Sequence, residues 1–478
     1  MLAARGADKA LGLASTMVLT RLLVPEDFGL VAMALAIVAL LELLTNFSLD
    51  VALIQHPSPD RTHFDTAWTL GLIFGILIAS ALLLLAQPAA AYYRAPRVES
   101  LLQVMSAVAV VGPLSNIGCV NFRRELAFDR EFRFVLYRRL ATLPVTIGLA
   151  LVLRSYWALV LGTLFGSLAG VAISYAMHPF RPRLSLSRFR DLFHVSQWMF
   201  LNNLLQYVNG RAADFLIGRM QGPRSLGIYS LANEFGSMPT VELIAPVNRA
   251  AFPGYSRLAA ERGDVVAAFL NVFAMVALIA LPASAGIALV AHLLVPLLFG
   301  SQWVEAAPLM SLLALASGGL ALWTNPGFLF LALGRVKVVT ALLALQAGLT
   351  VAALAAFLTL DIPLAPGWAS LTVAGAMVLP NLIALRRFAG VRPASMLALV
   401  WRPVLGCFAM ALVLGAVDSA PDVAHGPVAL ATGLASLVVA GALTYVGSVA
   451  AAWWVSGRPS GAEAYVLARL TRMLARGR

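Results

Sequence analysis

Fourteen apolar runs of about twenty residues follow one another along the chain, with only short polar gaps between them. They lie near 5–23, 29–50, 66–87, 99–120, 135–153, 156–177, 193–218, 224–250, 267–291, 305–331, 337–358, 364–385, 401–417 and 428–454. A run of that length crosses a bilayer only as a helix, because a helix pairs its backbone N–H and C=O groups within itself. Proline and charged clusters such as Pro25-Glu26-Asp27, Pro57-Ser58-Pro59-Asp60-Arg61 and Asp361-Ile362-Pro363 separate the runs. Composition agrees: 60% of the 478 residues are hydrophobic and 12% charged, where a soluble domain carries about 25% charged. A soluble enzyme, a disordered chain and a disulfide scaffold are excluded. So is an outer-membrane barrel, whose strands alternate apolar and polar residues. The expected fold is an all-α polytopic membrane protein with 14 transmembrane helices.

Lys+Arg number 34 against 22 Asp+Glu, a net charge of +12. In a soluble chain that balance would suggest nucleic acid. Here it fits loop arginines that anchor helices by the positive-inside bias. With the N-terminus in the cytoplasm and fourteen spans, cytoplasmic segments and helix ends hold 27 of the 34 basic residues. Outer segments hold six (Arg21, Arg94, Arg97, Arg154, Arg219 and Arg224), and Arg211 lies inside a span. A wrong span number would switch every later loop to the other side, so the alternation supports a multi-pass membrane protein with both termini cytoplasmic. Asp8 before the first apolar run argues against a cleavable signal peptide. After Pro459, apolar residues interleave with arginines in a pattern that suits a basic amphipathic tail.

An internal repeat organises the chain. Arg21-Leu-Leu-Val-Pro25-Glu-Asp-Phe-Gly29-Leu-Val-Ala-Met-Ala34 aligns with Arg219-Met-Gln-Gly-Pro223-Arg-Ser-Leu-Gly227-Ile-Tyr-Ser-Leu-Ala232 at a constant offset of 198. Val98-Glu99 and Val304-Glu305 repeat more weakly. Each long copy joins two spans, the first to the second and the seventh to the eighth. The repeat unit is therefore six spans, and an even number leaves the halves parallel, related by an axis along the membrane normal. The expected organisation is an N-terminal lobe over 1–178, a basic linker over 179–192, a C-terminal lobe over 193–388, two further helices over 389–456 and a basic tail over 457–478.

Ionisable groups inside a span are costly and mark functional candidates. They crowd into spans one, two, seven and eight. In span seven, Asn202, Asn203, Gln206, Tyr207, Asn209, Arg211 and Asp214 fill one arc at 100° per residue, and Leu201, Leu204, Leu205 and Val208 the other. Arg211 and Asp214, three apart, can pair. Span eight carries Asn233, Glu234, Ser237, Glu242, Asn248 and Arg249 and is broken by Pro239 and Pro246. Span two places Glu42, Asn46 and Asp50 on one stripe. These residues read either as a hydrophilic cavity wall or as an interhelical hydrogen-bond seam. On the cavity reading Arg5, Lys9, Arg211 and Arg249 suit a diphosphate, whose oxygens match the guanidinium fork. Asn46, Asn202, Asn203, Gln206, Asn209 and Asn233 suit the rest of the substrate. Glu42, Asp50, Asp214, Glu234 and Glu242 are candidates for a coupling H+ or Na+. The same arginines equally serve as charge balance for Asp8, Asp214, Glu234 and Glu242.

Cys119 and Cys407 give no disulfide framework, and the six histidines have no metal-ligand spacing. No Walker A sequence and no G-x-S-x-G elbow occurs. The expectation is a non-enzyme without metal or organic cofactor.

The motif Arg21-Leu-Leu-Val-Pro-Glu-Asp-Phe-Gly-Leu-Val-Ala-Met resembles the signature of bacterial polysaccharide flippases, the Wzx-type branch of the multidrug/oligosaccharidyl-lipid/polysaccharide exporter superfamily. Arg123-Arg-Glu-Leu-Ala-Phe, Tyr156-Trp-Ala-Leu-Val, Asp214-Phe-Leu-Ile-Gly-Arg219, Leu226-Gly-Ile-Tyr-Ser-Leu-Ala, Ala251-Phe-Pro-Gly-Tyr-Ser-Arg-Leu, Leu298-Phe-Gly-Ser-Gln-Trp-Val-Glu and Leu333-Gly-Arg335 follow in order. The resemblance implies two six-helix lobes, a central cavity and alternating access. It also implies a polyprenyl-diphosphate-linked oligosaccharide as cargo, for O-antigen, capsule or exopolysaccharide, and a polymerase and chain-length proteins as partners. A drug/cation antiporter of the same superfamily and an intramembrane polymerase or glycosyltransferase are the alternatives. Short outer loops argue against the last.

Overall fold

The computed structural model describes residues 2–45, 49–189, 197–261, 263–417, 426–459 and 461–464. Among them every element is a helix. Ten segments are long and apolar enough to cross a membrane. Helices also lie over the described parts of the other four expected spans, the first, second, seventh and eighth, which are the spans rich in ionisable groups. Contacts divide the chain into two compact units, Met1–Ser230 and Leu231–Arg478.

The first unit opens with α1 (Leu2–Leu22) and α2 (Pro25–Thr45), then a short α3 (Leu49–Gln55). Residues 46–48 of the expected second span lie outside the described residues; α2 is described to Thr45, and Asp50 stands in the first turn of α3. Helix α4 (Arg61–Tyr93) overruns its apolar run at both ends. The Asp60 side chain caps it by accepting the His63 N–H, and hydrogen bonds from Thr62 and His63 hold the Asp60 carboxyl well below the usual carboxylate range. Helix α5 (Arg97–Val111) stops short of the expected Val120, because Pro113 lacks a backbone N–H and the chain continues through two 3-10 turns to α6 (Asn121–Arg124). Helices α7 (Phe128–Leu153) and α8 (Trp157–Met177) cross closely on a glycine row. A Cβ on Gly162 would lie 2.3 Å from Thr146 Oγ1, and one on Gly166 2.9 Å from Thr142 Oγ1. Small residues at this spacing let membrane helices approach where no hydrophobic force drives them together.

The two ends of this unit differ. The turns between α1 and α2, α4 and α5, and α7 and α8 gather at one end, hereafter the turn end. There Asp27 accepts hydrogen bonds from the backbone N–H of Val24 (3.2 Å) and Tyr156 (2.9 Å). Arg97 pairs with Glu26 at 3.1 Å beside them. At the opposite end the segment after α8 lies as a strap along the start of α4. Buried Asn116 donates to the carbonyls of His178 (3.0 Å) and Phe180 (2.8 Å). Buried Asp65 accepts from Arg183 N (2.8 Å) and Thr69 Oγ1 from Ser185 N (3.0 Å).

Helix α9 (Gln197–Gly236) begins in the first unit and ends in the second. It breaks at Gly222, whose φ of 81° and ψ of −177° only glycine adopts readily, and Pro223 restarts it. The expected eighth span is therefore composite: the end of α9, a π-turn over Pro239–Ile244 and α10 (Ala245–Ala260). Helices α11 (Val265–Phe299) and α12 (Ala306–Ala332) pack along their length, followed by α13 (Val336–Thr359), α14 (Ala365–Ala376) and α15 (Val378–Ala389). Phe269, Phe273, Leu329 and Phe330 fill their core. A closed polar string runs through it. Tyr255 donates to Asn325 Oδ1 (3.1 Å), Asn325 to Asn248 Oδ1 (2.8 Å) and Asn248 to Thr324 Oγ1 (2.7 Å). Helices α16 (Pro393–Val417) and α17 (Gly426–Val455) lie on α11, where the Tyr445 hydroxyl donates to Leu278 O at 2.9 Å. Arg402 of α16 pairs with Glu463 at 2.5 Å, with only 9% and 12% of the side chains exposed.

Asn116→Ala removes two hydrogen bonds to the strap, leaving the carbonyl acceptors behind, and the one its Oδ1 accepts from the Gly118 N–H. The expected cost is about 1–3 kcal/mol, read as a lowered thermal midpoint of the purified protein.

Candidate functional site

The polar face of α9 divides in two. Asn203 and Gln206 are exposed, and Asn202 and Asn209 half-buried. Toward the turn end the face closes. The Tyr207 hydroxyl donates to the Ala36 carbonyl of α2 at 2.7 Å. Arg211 Nη1 lies 3.0 Å from Asp214 Oδ2, and the carboxylate is 6% exposed while the guanidinium side is 43% exposed. The Arg211–Asp214 pair anticipated from spacing thus forms, with the acid sealed and the base half open. Phe215 stacks on buried Tyr93 of α4 (6.1 Å between ring centres), and Arg219 lies over Tyr92 at 5.7 Å.

Beyond this seam, α2 meets α9 backbone on backbone. A Cβ on Gly29 would stand 1.7 Å from the carbonyl oxygen of Pro223 and 2.9 Å from the nitrogen of Gly227. A Cβ on Gly227 would stand 1.8 Å from the carbonyl oxygen of Pro25 and 3.0 Å from the nitrogen of Gly29. This is one contact measured from its two sides. Its partners are the proline and glycine that the sequence repeats at an offset of 198. The two copies of the motif therefore face each other across a local two-fold axis, each glycine leaving room for the other's proline carbonyl.

The carboxylates of the second span come together differently. Glu42 of α2 and Asp50 of α3 both line a cavity of about 720 Å³. Its walls are Phe74 and Ile78 of α4 and Met105 and Val108 of α5, with Arg123, Thr163 and Ser167 at its edges. Spacing had joined Glu42 and Asp50 but gave no sign of this cavity, whose lining comes from six helices.

The remaining candidates lie on other elements. Asn233 is half-buried and Glu234 exposed near the end of α9, Glu242 is half-buried in the π-turn, and Arg249 is exposed on α10 with Nε 3.3 Å from Ala245 O. Arg5 and Lys9 lie on α1 ahead of its described side chains, and Asn46 lies outside the described residues. Among the described residues no His, Cys, Asp and Glu group could hold a metal ion.

Residues 18–308 match the family described as polysaccharide biosynthesis protein. The chain belongs to that family. The match starts just before Arg21, so the family reading of the first motif holds. The chain is 26% identical over 337 residues to the lipopolysaccharide biosynthesis protein WzxC of Escherichia coli, covering 69% of this chain and 68% of that protein. It is 27% identical over 305 residues to the succinoglycan biosynthesis transport protein ExoT of Rhizobium meliloti, covering 63% and 61%. The chain thus spans between three fifths and about two thirds of these relatives' lengths. The lipid II flippase MurJ, solved in an inward closed conformation, shares the fold: the TM-score is 0.75 at 11% identity, over 95% of this chain and 99% of that one.

Gly29→Ala and Gly227→Ala each force a methyl into a backbone carbonyl, which no rotamer can move aside. Each is expected to cost about 1–3 kcal/mol by overpacking and to lower the thermal midpoint in detergent. Gly210→Ala, also on α9 but with nothing within 4 Å of its Cβ, leaves the midpoint unchanged.

Proposed function

We propose that this member of the polysaccharide biosynthesis family is a flippase. It moves a polyprenyl-diphosphate-linked oligosaccharide from the cytoplasmic to the outer leaflet of a bacterial inner membrane, for assembly of a surface polysaccharide. The observation that carries the mechanism is the pairing of the two repeat copies at the turn end. The two copies are equivalent loops of the repeat, and alternating access by duplicated halves turns on contacts of this kind forming and parting. The family supplies the cargo class. The turn end is read as the outer one and both termini as cytoplasmic, in keeping with the arginine distribution.

In this reading the cargo's diphosphate meets Arg211. Its guanidinium keeps one edge on the buried Asp214 carboxylate and is 43% exposed, so further N–H donors remain for phosphate oxygens. Arg5, Lys9 and Arg249 are the other basic candidates. The amides of Asn46, Asn202, Asn203, Gln206, Asn209 and Asn233 suit sugar hydroxyls. The polyprenyl chain stays toward the bilayer, where its transfer costs nothing. Glu42, Asp50, Asp214, Glu234 and Glu242 are the groups available to carry a coupling proton or sodium ion. No bond is made or broken, and the polymerase and chain-length proteins of the pathway are the natural recipients.

Deleting the gene is expected to abolish the surface glycan and to accumulate complete polyprenyl-diphosphate oligosaccharide on the cytoplasmic side. An unchanged glycan and intermediate pool sinks the proposal. Arg211→Ala, restored to the deletion strain, is expected to lower surface polysaccharide at least tenfold at normal protein abundance, in line with loss of a charge-assisted contact. Wild-type glycan in that strain removes Arg211 from the site.

A further inference from the structure

On the orientation read above, the turn end of the first unit faces outward, the side from which the positive-inside bias removes arginine. It nevertheless carries Arg21, Arg94, Arg97, Arg154, Arg219 and Arg224 against Glu26, Asp27 and Glu99. Two of those acids are already occupied, Glu26 by Arg97 at 3.1 Å and Asp27 by the backbone N–H groups of Val24 and Tyr156. The same contacts tie the three turns into one rim.

Two of the arginines stand where arginine fits the backbone poorly. Arg94 closes α4 at a φ of 54°, and Arg154 closes α7 at a φ of 44°. Both are left-handed caps, which favour glycine. Balancing the helix dipole does not require this placement, since a basic residue in the last helical turn serves the dipole without strain. Both side chains are exposed, and among the described residues neither makes an ion pair or a side-chain hydrogen bond. Each is flanked by aromatic residues of the kind that settle at the membrane–water boundary. Tyr92, 41% exposed, precedes Arg94, and Tyr156 and Trp157, with ring centres 5.2 Å apart, follow Arg154. That flanking sets both guanidinium groups at head-group depth with their donors available.

We propose that Arg94 and Arg154 hold the phosphate of a lipid head group in the leaflet that meets the turn end. The guanidinium fork matches phosphate oxygens, and an anionic head group offsets the excess charge of the rim. The site lies wholly within the first unit. It rests on the turn end facing outward and not on the identity of the cargo. Glycine at both positions removes the side chains and relieves the backbone together, so a loss of binding there is not a loss of fold.

The test is native mass spectrometry of the purified full-length protein in detergent, titrated with dioleoylphosphatidylglycerol, dioleoylphosphatidylcholine or undecaprenyl diphosphate. An anionic lipid is expected to bind saturably and more tightly than phosphatidylcholine. Arg94→Gly with Arg154→Gly is expected to weaken that binding on the order of tenfold while the thermal midpoint stays level or rises. The same loss is expected in the Arg211→Ala background, which separates this rim from the residue proposed to meet the cargo. Tighter binding of undecaprenyl diphosphate identifies the carrier lipid as the occupant, and tighter binding of phosphatidylglycerol identifies a phospholipid. Equal binding of phosphatidylcholine, wild-type affinity in the double glycine variant, or a lowered midpoint in that variant each overturns the proposal. Outward placement is read separately, as labelling of Ser155→Cys in intact spheroplasts by a membrane-impermeant maleimide. Labelling only after permeabilisation overturns the outward placement, whereas the lipid titration alone decides the binding.

Discussion

The contact of Gly29 with Pro223 and of Gly227 with Pro25 sets the geometry of the turn end. Two helices that touch through backbone alone have no side chain with which to adjust their spacing. Their distance is fixed by carbonyl and nitrogen radii, and the neighbouring contacts inherit that distance. Tyr207 reaches the Ala36 carbonyl, and Gly218 packs against Met33, because α2 and α9 approach so closely. In lipid, where burying apolar surface gives helices no net attraction for one another, close approach of this kind is one of the few sources of specific association.

The two units handle polarity differently. In the second, Tyr255, Asn325, Asn248 and Thr324 satisfy one another in a closed string, which is what a buried polar network must do to be stable. In the first, polar side chains on α9 and around the cavity stay partly open. Arg211 illustrates the difference: its partner Asp214 is sealed while its own head group stays accessible. A sealed acid under an accessible base is a fixed charge pair with spare donors, and such pairs suit ligand recognition better than structural closure.

Much of this was legible in the sequence. Apolar runs located the helices, because the bilayer imposes one length and one secondary structure on every crossing. The 198-residue offset identified the residues that later proved to touch. That they touch was not readable, although two glycines conserved between copies at a loop–helix junction were the available signal. Boundaries failed where polar residues form helix. Arg61-Thr62-His63 read as loop, yet Asp60 caps them into α4. The cavity was invisible for a different reason. Phe74, Met105, Arg123 and Thr163 stand far apart in sequence, and each sits in a run whose periodicity only reports a membrane helix.

The ion pair between Arg402 and Glu463 bears on how the protein is made. Its partners are separated by 61 residues, which include all of α17. Synthesis delivers α16 before this carboxylate exists, so its arginine is then without it. Until residue 463 emerges, Arg402 must keep its head group in the interfacial water by extending along the helix. The final seating of α16 against α11 is thereby deferred until α17 has been inserted and the chain has returned past it. Assembly of this corner of the second unit is ordered in time by a charge.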